Sequence, residues 1–311
     1  MLELGSQERG LRGERKVNAR RTSVVLYVVV VVVLVWTLFP IFWLASTSFK
    51  PYYEVYHQPP LLAPEHPTLD NWNWIFFGGS SYANLGNQTL QHVIPVNLII
   101  TGQGAFLNSL VVNTLATLLA LLVGIPAAYS LTRFGTGGKN LGYWILSIRF
   151  LPSITIVFSL FLFFNSLNLL DTHAALIWAY AGINLPFVIW SLAAFFEEIP
   201  SAIDDAACVD GAGRAQILFR FVLPLAGPAV AATAIFTFVL GWNELLIALI
   251  LTRNVAVTLP VALTAWNTAT VGMLYGPLSA MGLLAVLPGV ILAFYLQRYI
   301  VRGLTMGAVK G

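Results

Sequence analysis

Carboxylate side chains gather in one short stretch of the chain, EEIPSAIDDAACVDGAG, residues 197–213. Such residues serve acid–base chemistry and contacts to electropositive partners. Apolar runs bracket the stretch, and two glycines stand at its end. It holds five of the thirteen carboxylates of a chain that is 58% hydrophobic, namely Glu197, Glu198, Asp204, Asp205 and Asp210. What these acids do depends on the elements on either side of them.

The other reactive residue types form no catalytic or metal-binding pattern in the sequence. No histidine has metal-ligand spacing to another histidine or to Cys208, and solvated surface is the default interpretation of His57, His66, His92 and His173. No nucleophile–base constellation and no G-x-x-x-x-G-K-[ST] occur. We therefore expect a non-catalytic chain with no metal and no cofactor of its own.

The composition indicates an all-α membrane protein. Charged residues make up 9% of the chain and the mean hydropathy is +0.80, whereas a soluble domain carries about 25% charged residues. Apolar runs recur that are long enough to cross a hydrocarbon core about 30 Å thick as helices. Weak alternation of apolar and polar residues argues against a barrel. The basic residues lie at membrane edges, so we expect lipid and no nucleic acid as a partner.

Six membrane spans are predicted, near residues 24–46, 107–131, 143–165, 174–196, 225–251 and 279–301. Cytoplasmic segments carry an excess of Lys and Arg, which sets the orientation. Lys50 and Arg253 lie on one side of the membrane. Twelve basic residues lie on the other side: Arg9, Arg12, Arg15, Lys16, Arg20, Arg21, Arg133, Lys139, Arg214, Arg220, Arg302 and Lys310. Both termini are therefore predicted to be cytoplasmic.

These spans divide the chain into segments. The first span is too long for the apolar region of a signal peptide and is interpreted as an uncleaved anchor. The Trp and Tyr residues that follow the first span are of the types that typically lie at the level of the lipid headgroups. We expect a basic cytoplasmic tail (1–21), a first transmembrane helix (22–49), an external segment (50–105), a five-helix core (106–302) with a cytoplasmic loop (197–224), and a cytoplasmic tail (303–311).

We call the predicted cytoplasmic loop of residues 197–224 the acid-rich loop. Its first part has the pattern of a short helix followed by a turn. Pro200 can start a helix. Asp204 and Asp205 then fall near its positive N-terminal end, where carboxylates are favoured. Gly211 and Gly213 supply the freedom for a reversal of the chain. The loop is thus predicted to project from the bilayer as a helix–turn–helix.

The second limb of the loop, RAQILFRFV, resumes a helical pattern. It places Ile217 and Phe221 on one face, and Pro224 is predicted to end it. Ala206 and Ala207, on the first limb, form a small-residue patch that another backbone can approach closely. On composition alone, a solvated hairpin between two membrane helices fits equally well.

The stretch DDAACVDGAGRAQILFRFVLP closely resembles the EAA loop of permease subunits in binding-protein-dependent ABC importers. That pattern runs Glu-Ala-Ala, three residues, Gly, nine residues, Ile, one residue, Leu-Pro. Two residues depart from it, since Asp205 replaces Glu and Phe221 replaces Ile, and both keep the character of the site. The residues at matching spacing are Asp205, Ala206, Ala207, Gly211, Leu223 and Pro224.

The resemblance covers nearly the whole chain. LFPIFWLASTSFKP, FLNSLVVNTLATLLALLVGIPAAYSLTRF, LLDTHAALIWAYAGINLPFVIW, GWNELLIAL and VRGLTMGAVKG look like segments of carbohydrate-uptake permeases. In particular, they look like the second, six-helix subunit of the maltose and glycerol-phosphate type. This implies a type I ABC importer permease fold in the cytoplasmic (inner) membrane. Residues 78–104 match poorly and look like an insertion.

The resemblance also implies partners and a mechanism. The complex comprises a sister permease, two cytoplasmic ATPase subunits that bind ATP and Mg²⁺, and an external substrate-binding protein. The EAA loop provides a coupling helix that docks on an ATPase subunit, whose closure moves the membrane helices to give alternating access. The coupling-loop residues so implied are Asp204, Asp205, Ala206, Ala207, Asp210, Gly211, Arg214, Leu223 and Pro224.

Glu244, in GWNELL, is the one carboxylate predicted to lie within a span. A charge there costs about 2.5–3.5 kcal/mol on insertion scales, so it must face protein or water. Trp242, Asn243 and Glu244 either line the translocation path or form a buried polar clamp between subunits. Four asparagines can bond sugar hydroxyls, although helix–helix contact is favoured for them: Asn108, Asn113, Asn165 and Asn184.

Arg149 lies a little inside the third predicted span, near Pro152. Snorkelling of its side chain to the cytoplasmic interface is favoured over a role in substrate binding. Leu185-Pro186 and Gly124-Ile125-Pro126 are interpreted as helix kinks.

Two other classes of protein compete with the ABC permease. An ion-gradient-driven secondary transporter commonly places ionisable groups near the midplane, and Glu244 is the one plausible candidate. An intramembrane hydrolase needs a buried nucleophile and base, and the predicted spans contain no such pair. The substrate stays open between an oligosaccharide and a glycerol-phosphate compound.

Overall fold

The computed structural model describes residues 26–77, 102–138, 140–264, 267–268 and 272–307. The predicted basic tail, residues 78–101 of the predicted insertion with His92, and residues 308–311 lie outside the described residues.

The described residues are mostly helical. In chain order the elements are α1 (Leu26–Ser48), α2 (Tyr52–Val55), α3 (Asp70–Phe77), α4 (Gly102–Phe134), α5 (Leu141–Phe150), α6 (Ser153–Ser166), α7 (His173–Glu198), α8 (Ala202–Val209), α9 (Arg214–Leu225), α10 (Gly227–Trp242), α11 (Leu246–Leu251), α12 (Leu259–Thr264), β1 (Asn267–Thr268), β2 (Gly272–Met273) and α13 (Tyr275–Gly307). The two short strands pair antiparallel, with Asn267 opposite Met273.

Four helices of the described chain are long and apolar enough to cross a membrane by themselves: α1, α4, α7 and α13. Two further crossings form if α5 with α6, and α9 with α10, each count as one bent span. The apolar segments expected from the sequence are therefore present as helices. The side of the membrane on which the termini lie stays a prediction.

The span predicted near residues 143–165 is broken into two helices, because α5 and α6 meet at an angle of 91°. The break falls at Leu151 and Pro152, whose backbones are extended, with ψ of 127° and 133°. Proline has no N–H to donate and its ring disfavours helical geometry in the preceding residue. The sequence Leu-Pro therefore turns this span.

The predicted span 225–251 is also interrupted. Helix α10 ends at Trp242, and α11 begins at Leu246. The Glu244 carboxylate accepts a hydrogen bond of 3.1 Å from the Ile247 N–H, which satisfies one of the free donors at the start of α11. A side chain thus replaces the helical acceptor, and the chain turns at residues 243–245.

The core of the bundle is the long contact between α4 and α7. At its centre a Cβ on Gly124 would lie 2.5 Å from Val188 Cγ1, so the absence of a side chain lets the helices approach closely. Both helices continue through their prolines, Pro126 and Pro186. Helix α10 packs against both of them, and together these helices carry buried polar residues such as Asn113, Asn184 and Thr237.

A second apolar cluster anchors the predicted external segment to the bundle. Ile75 of α3 is fully buried beside Met281 of α13 and packs against Gly102 at the start of α4. The buried Asn71 donates to the Ser48 and Lys50 carbonyls at 2.9 Å each. The segment after α1 is therefore folded onto the ends of three membrane helices.

Candidate functional site

The acid-rich loop forms the helix–turn–helix that its sequence predicts. Helix α8 is followed by Gly211, whose φ of +83° is accessible to glycine at little cost. Gly213 has an ordinary φ of −70°, so the reversal depends on Gly211 alone. The Gly213 N–H donates a hydrogen bond of 3.0 Å to the Gln216 side chain, which caps the start of α9.

Helix α9 differs from the predicted pattern because residues 217–222 form a π-helical turn. In a π-helix the bonded residues are five apart rather than four. Ile217 and Val222 therefore share the buried face, whereas Phe221 is 40% exposed. The helix also continues through Pro224, and the 81° bend falls at Ala226, before the next helix. The expectations that Phe221 shares a face with Ile217 and that Pro224 ends the helix are both wrong.

The inner face of the loop is held by the C-terminal end of α4. Asp204 accepts a hydrogen bond of 2.9 Å from the Tyr129 hydroxyl and forms an ion pair of 2.8 Å with Arg133 Nε. The N–H of Arg133 does not point at the oxygen, so this second contact is electrostatic rather than a directed hydrogen bond. Ala207 is also buried, 4% exposed, and packs in the chain's own core. Asp204 and Ala207 are thus taken up by contacts within the chain.

The remaining coupling-loop residues are mostly exposed. Arg214 lies over the Phe134 ring at 4.6 Å, and Leu223 is half-buried. Val209, at the end of α8, is 89% exposed, which is unusual for an aliphatic side chain. The exposed members of the predicted set are Asp205, Ala206, Asp210, Gly211, Arg214 and Pro224. The loop therefore has one face satisfied by its own chain and one face that presents acids, small residues and an apolar side chain.

A second group of polar residues lies in the middle of the bundle. Arg149 Nη1 donates to Asn184 Oδ1 at 2.8 Å and to the Ile183 carbonyl at 3.0 Å. The Asn184 amide donates to the Tyr180 carbonyl at 2.9 Å, and the Tyr180 hydroxyl donates to the Glu244 carbonyl at 3.1 Å. The Glu244 carboxylate also attracts the Arg149 guanidinium through space. We call Arg149, Asn184, Tyr180 and Glu244 the central polar cluster.

One prediction for this region needs correction. The favoured interpretation of Arg149 as a snorkelling residue is wrong, because its head group is bound near the middle of α7. Trp242 is 5% exposed, and its indole N–H donates to the Ala285 carbonyl at 3.0 Å; whether it borders the translocation path stays a prediction. It also packs against the Phe106 and Phe238 rings. Asn243 is exposed, and its side-chain amide donates a hydrogen bond of 2.8 Å to the Val239 carbonyl.

Two of the histidines predicted to lie at the surface contact other residues of the chain, and the His66 side chain is 72% exposed, as predicted. His173 contacts Asn108 Oδ1 at 2.7 Å, while the Asn108 amide donates to the Val255 and Val257 carbonyls. His66 contacts the buried Glu54 carboxylate at 2.9 Å. Asn108 therefore joins α4 to α7 through His173, as favoured for it, and also joins α4 to the loop of residues 255–257. Among the described residues no group of three or more His, Cys, Asp or Glu is arranged to hold a metal ion.

Asp171 is a structural residue that the sequence reasoning missed. It lies in the turn before α7 and accepts hydrogen bonds of 3.0–3.1 Å from the backbone N–H groups of residues 253–256. Burial opposes its ionisation, but the N–H donors outweigh burial and hold the pKa of Asp171 below its ordinary value. Its φ of +58° is a conformation that Asp tolerates better than most residues. In the sequence, the one local sign of this turn is an Asp that precedes Thr-His at the start of a helix.

Comparison with known families identifies the chain. The model of the family "Binding-protein-dependent transport system inner membrane component" matches residues 120–306, which include the loop, both bent spans and the central polar cluster. The chain belongs to this family. This ABC importer permease is accordingly a multi-pass protein of the cell membrane.

Relatives of the permease carry several substrate names. It is 34% identical over 280 residues to the trehalose transport system permease protein of Mycobacterium tuberculosis, with 89% of this chain and 93% of that protein covered. It is 33% identical over 282 residues to the sulfoquinovosyl glycerol transport system permease protein of Agrobacterium fabrum, with 90% and 91% covered.

A solved structure shares the fold of the permease. It is a chain of a bacterial ABC transporter involved in the import of the acidic polysaccharide alginate, with a TM-score of 0.67 and 20% identity. The match covers 90% of this chain and 96% of that chain. At this identity the likeness concerns the fold alone.

Proposed function

We propose that the chain is the non-catalytic, membrane-spanning subunit of an ATP-driven sugar importer. It pairs with a sister permease to form the translocation pathway, and it works with two cytoplasmic ATPase subunits, which bind ATP and Mg²⁺, and an external substrate-binding protein. The outer face of the acid-rich loop is the docking surface for an ATPase subunit. Closure of the ATPase pair moves the membrane helices between two packed arrangements.

The observation that carries this proposal is the division of the loop into two faces. Asp204 and Ala207 are occupied inside the chain. Asp205 and Ala206 are left exposed beside Val209, which is 89% exposed. Burying a valine side chain stabilises a contact by about 1.5–3 kcal/mol, and the small residues on either side permit close approach. The acids suit an electropositive groove on the partner.

The central polar cluster is proposed to border the translocation path. Its bent elements, α5–α6 and the turn at residues 243–245, are the irregular backbone that membrane proteins tolerate where it lies within protein or beside a water-filled cavity. The cluster contains one cation, Arg149, and one anion, Glu244. These charges balance, which favours a neutral polyhydroxylated substrate over a glycerol-phosphate compound. A thermal-shift screen of the partner binding protein against both classes distinguishes them.

Co-purification tests the docking role. The chain is purified with its neighbouring subunits as the wild type and as Ala206→Arg, which adds a bulky cation to the exposed face without filling the core. We expect the wild type to retain an ATPase subunit and Ala206→Arg to lose it. Asn254→Arg, in the exposed stretch of residues 253–255, is the control and is expected to retain it. Retention by Ala206→Arg, or loss by Asn254→Arg alone, contradicts the proposed docking surface.

A further inference from the structure

The two limbs of the loop converge on one short segment of α4. Tyr129 and Arg133, four residues apart on one face of that helix, both contact Asp204 of α8. Phe134, the last residue of α4, lies beneath the Arg214 guanidinium of α9. Helix α8 is joined covalently to α7 and α9 to α10, whereas neither is joined to α4. The loop therefore contacts α4 only through non-covalent interactions such as these.

The contact with Asp204 is largely shielded from water. The Asp204 and Arg133 side chains are 13% and 11% exposed, and Tyr129 is 5% exposed. The Arg133 guanidinium also donates a hydrogen bond of 2.8 Å to the Ile199 carbonyl at the end of α7. The guanidinium is therefore held between α7 and α8. Buried charged contacts are costly to break, because separation leaves an uncompensated charge. The contact thus behaves as a stiff connection rather than as a solvated ion pair.

We propose that Asp204, Arg133 and Tyr129 form the connection through which movement of the docked loop reaches α4. The inference rests on the proposed function and adds to it a division of roles between neighbouring acids. Asp205 faces the ATPase, and Asp204 faces α4. Because α4 and α7 form the most extensive helix–helix contact of the described residues, a displacement transmitted at Asp204 moves the α4–α7 pair as one body. Asp204 and Arg133 are positioning residues that act on the path through helix packing.

The test uses the assembled transporter in proteoliposomes and measures sugar transported per ATP hydrolysed. Asp204→Asn removes the charge and keeps an acceptor for the Tyr129 hydroxyl, Arg133→Gln removes the other charge, and Tyr129→Phe removes a single hydrogen bond. Glu65→Gln, which neutralises an exposed acid between α2 and α3 and outside the loop, is the matched control. Retention of the ATPase subunit is measured on the same samples.

We expect Asp204→Asn and Arg133→Gln to retain the ATPase and to hydrolyse ATP, but to transport about fivefold less sugar per ATP, or lower still. Tyr129→Phe is expected to show a smaller loss, and Glu65→Gln none. The reciprocal pair Asp204→Arg with Arg133→Asp is expected to recover part of the ratio. An unchanged ratio in Asp204→Asn overturns the inference, as does loss of the ATPase from it, since Asp204 would then act in docking. A wild type that retains no ATPase overturns the proposed function and the inference together.

Discussion

Arg149 Nη1 lies 2.8 Å from Asn184 Oδ1, near the middle of α7. Asn184 is 4% exposed, and its own amide is bonded to the Tyr180 carbonyl, so the acceptor is held in a fixed orientation. A guanidinium at this depth is stable only with such partners. The bend at Leu151 and Pro152 follows directly after Arg149, and the contact therefore fastens the bent span to the central helix pair.

Replacing Asn184 is expected to loosen this contact. Asn184→Leu leaves Arg149 Nη1 with the Ile183 carbonyl as its remaining acceptor and lowers the free energy of unfolding by about 1–3 kcal/mol. Thermal unfolding in lipid nanodiscs measures the change. Asn165→Leu, at an exposed position of α6, is the control and should leave the unfolding temperature within error. Equal effects of the two substitutions would show that the Arg149 contact contributes nothing.

Lysine is not expected to replace Arg149. The guanidinium reaches two acceptors from one nitrogen and faces the Phe187 ring at 5.8 Å, whereas an ammonium has neither the planar fork nor the same stacking surface. Arg149→Lys should therefore lower transport about as strongly as Arg149→Met, with ATPase retention unchanged. Transport by Arg149→Lys at the wild-type rate would show that charge alone suffices at this position.

The close approach of α4 and α7 gives a prediction with a matched control. A Cβ on Gly124 would meet Val188 Cγ1 at 2.5 Å, whereas nothing lies within 4 Å of one on Gly182 of α7. Gly124→Ala is expected to destabilise the chain by about 1–3 kcal/mol through overpacking, and Gly182→Ala to be tolerated. The measurement is thermal unfolding. Val188→Ala should rescue Gly124→Ala, and failure of that rescue would place the strain elsewhere.

The Asp171 turn gives a prediction for pH dependence. Its pKa is depressed in the folded chain, so its ionised form stabilises the fold at pH values above its unfolded pKa of about 3.9. This stabilisation is lost as the pH falls through the lower, folded pKa. Asp171→Asn should therefore unfold at a lower temperature than the wild type at pH 7. The difference should shrink below about pH 4, and a difference constant from pH 7 to acid would exclude the ionised contact.

Much of the fold follows from the sequence because hydropathy reports which segments lie in lipid. The apolar runs, the helix–turn–helix and the reversal at Gly211 are each visible from residue type and spacing. Bends were harder to predict: apolar content continues through Leu151 and Pro152, so a window average sees one span where the backbone turns by 91°. The π turn in α9 was also hidden, because it changes the face of Phe221 without changing composition.

The site residues divide in the same way. Charge and spacing place Asp204 and Asp205 in one loop but give no sign that their side chains face different partners. That difference arises from Tyr129 and Arg133, which lie far away in the sequence. Charge counting treats Arg133 only as an orientation signal and does not include Tyr129. Arg149 shows the same effect, because a rule based on its distance from the membrane edge cannot include its acceptor on α7.

The most direct test of the proposed importer is the energy source of uptake. Proteoliposomes containing the assembled complex and loaded binding protein are given ATP on the cytoplasmic side with all ion gradients collapsed, or an ion gradient without ATP. We predict uptake of labelled sugar in the first condition, its loss in the Ala206→Arg complex, and none in the second condition. Uptake sustained by the gradient without ATP, at a rate unaffected by Ala206→Arg, would contradict the account and identify a secondary transporter.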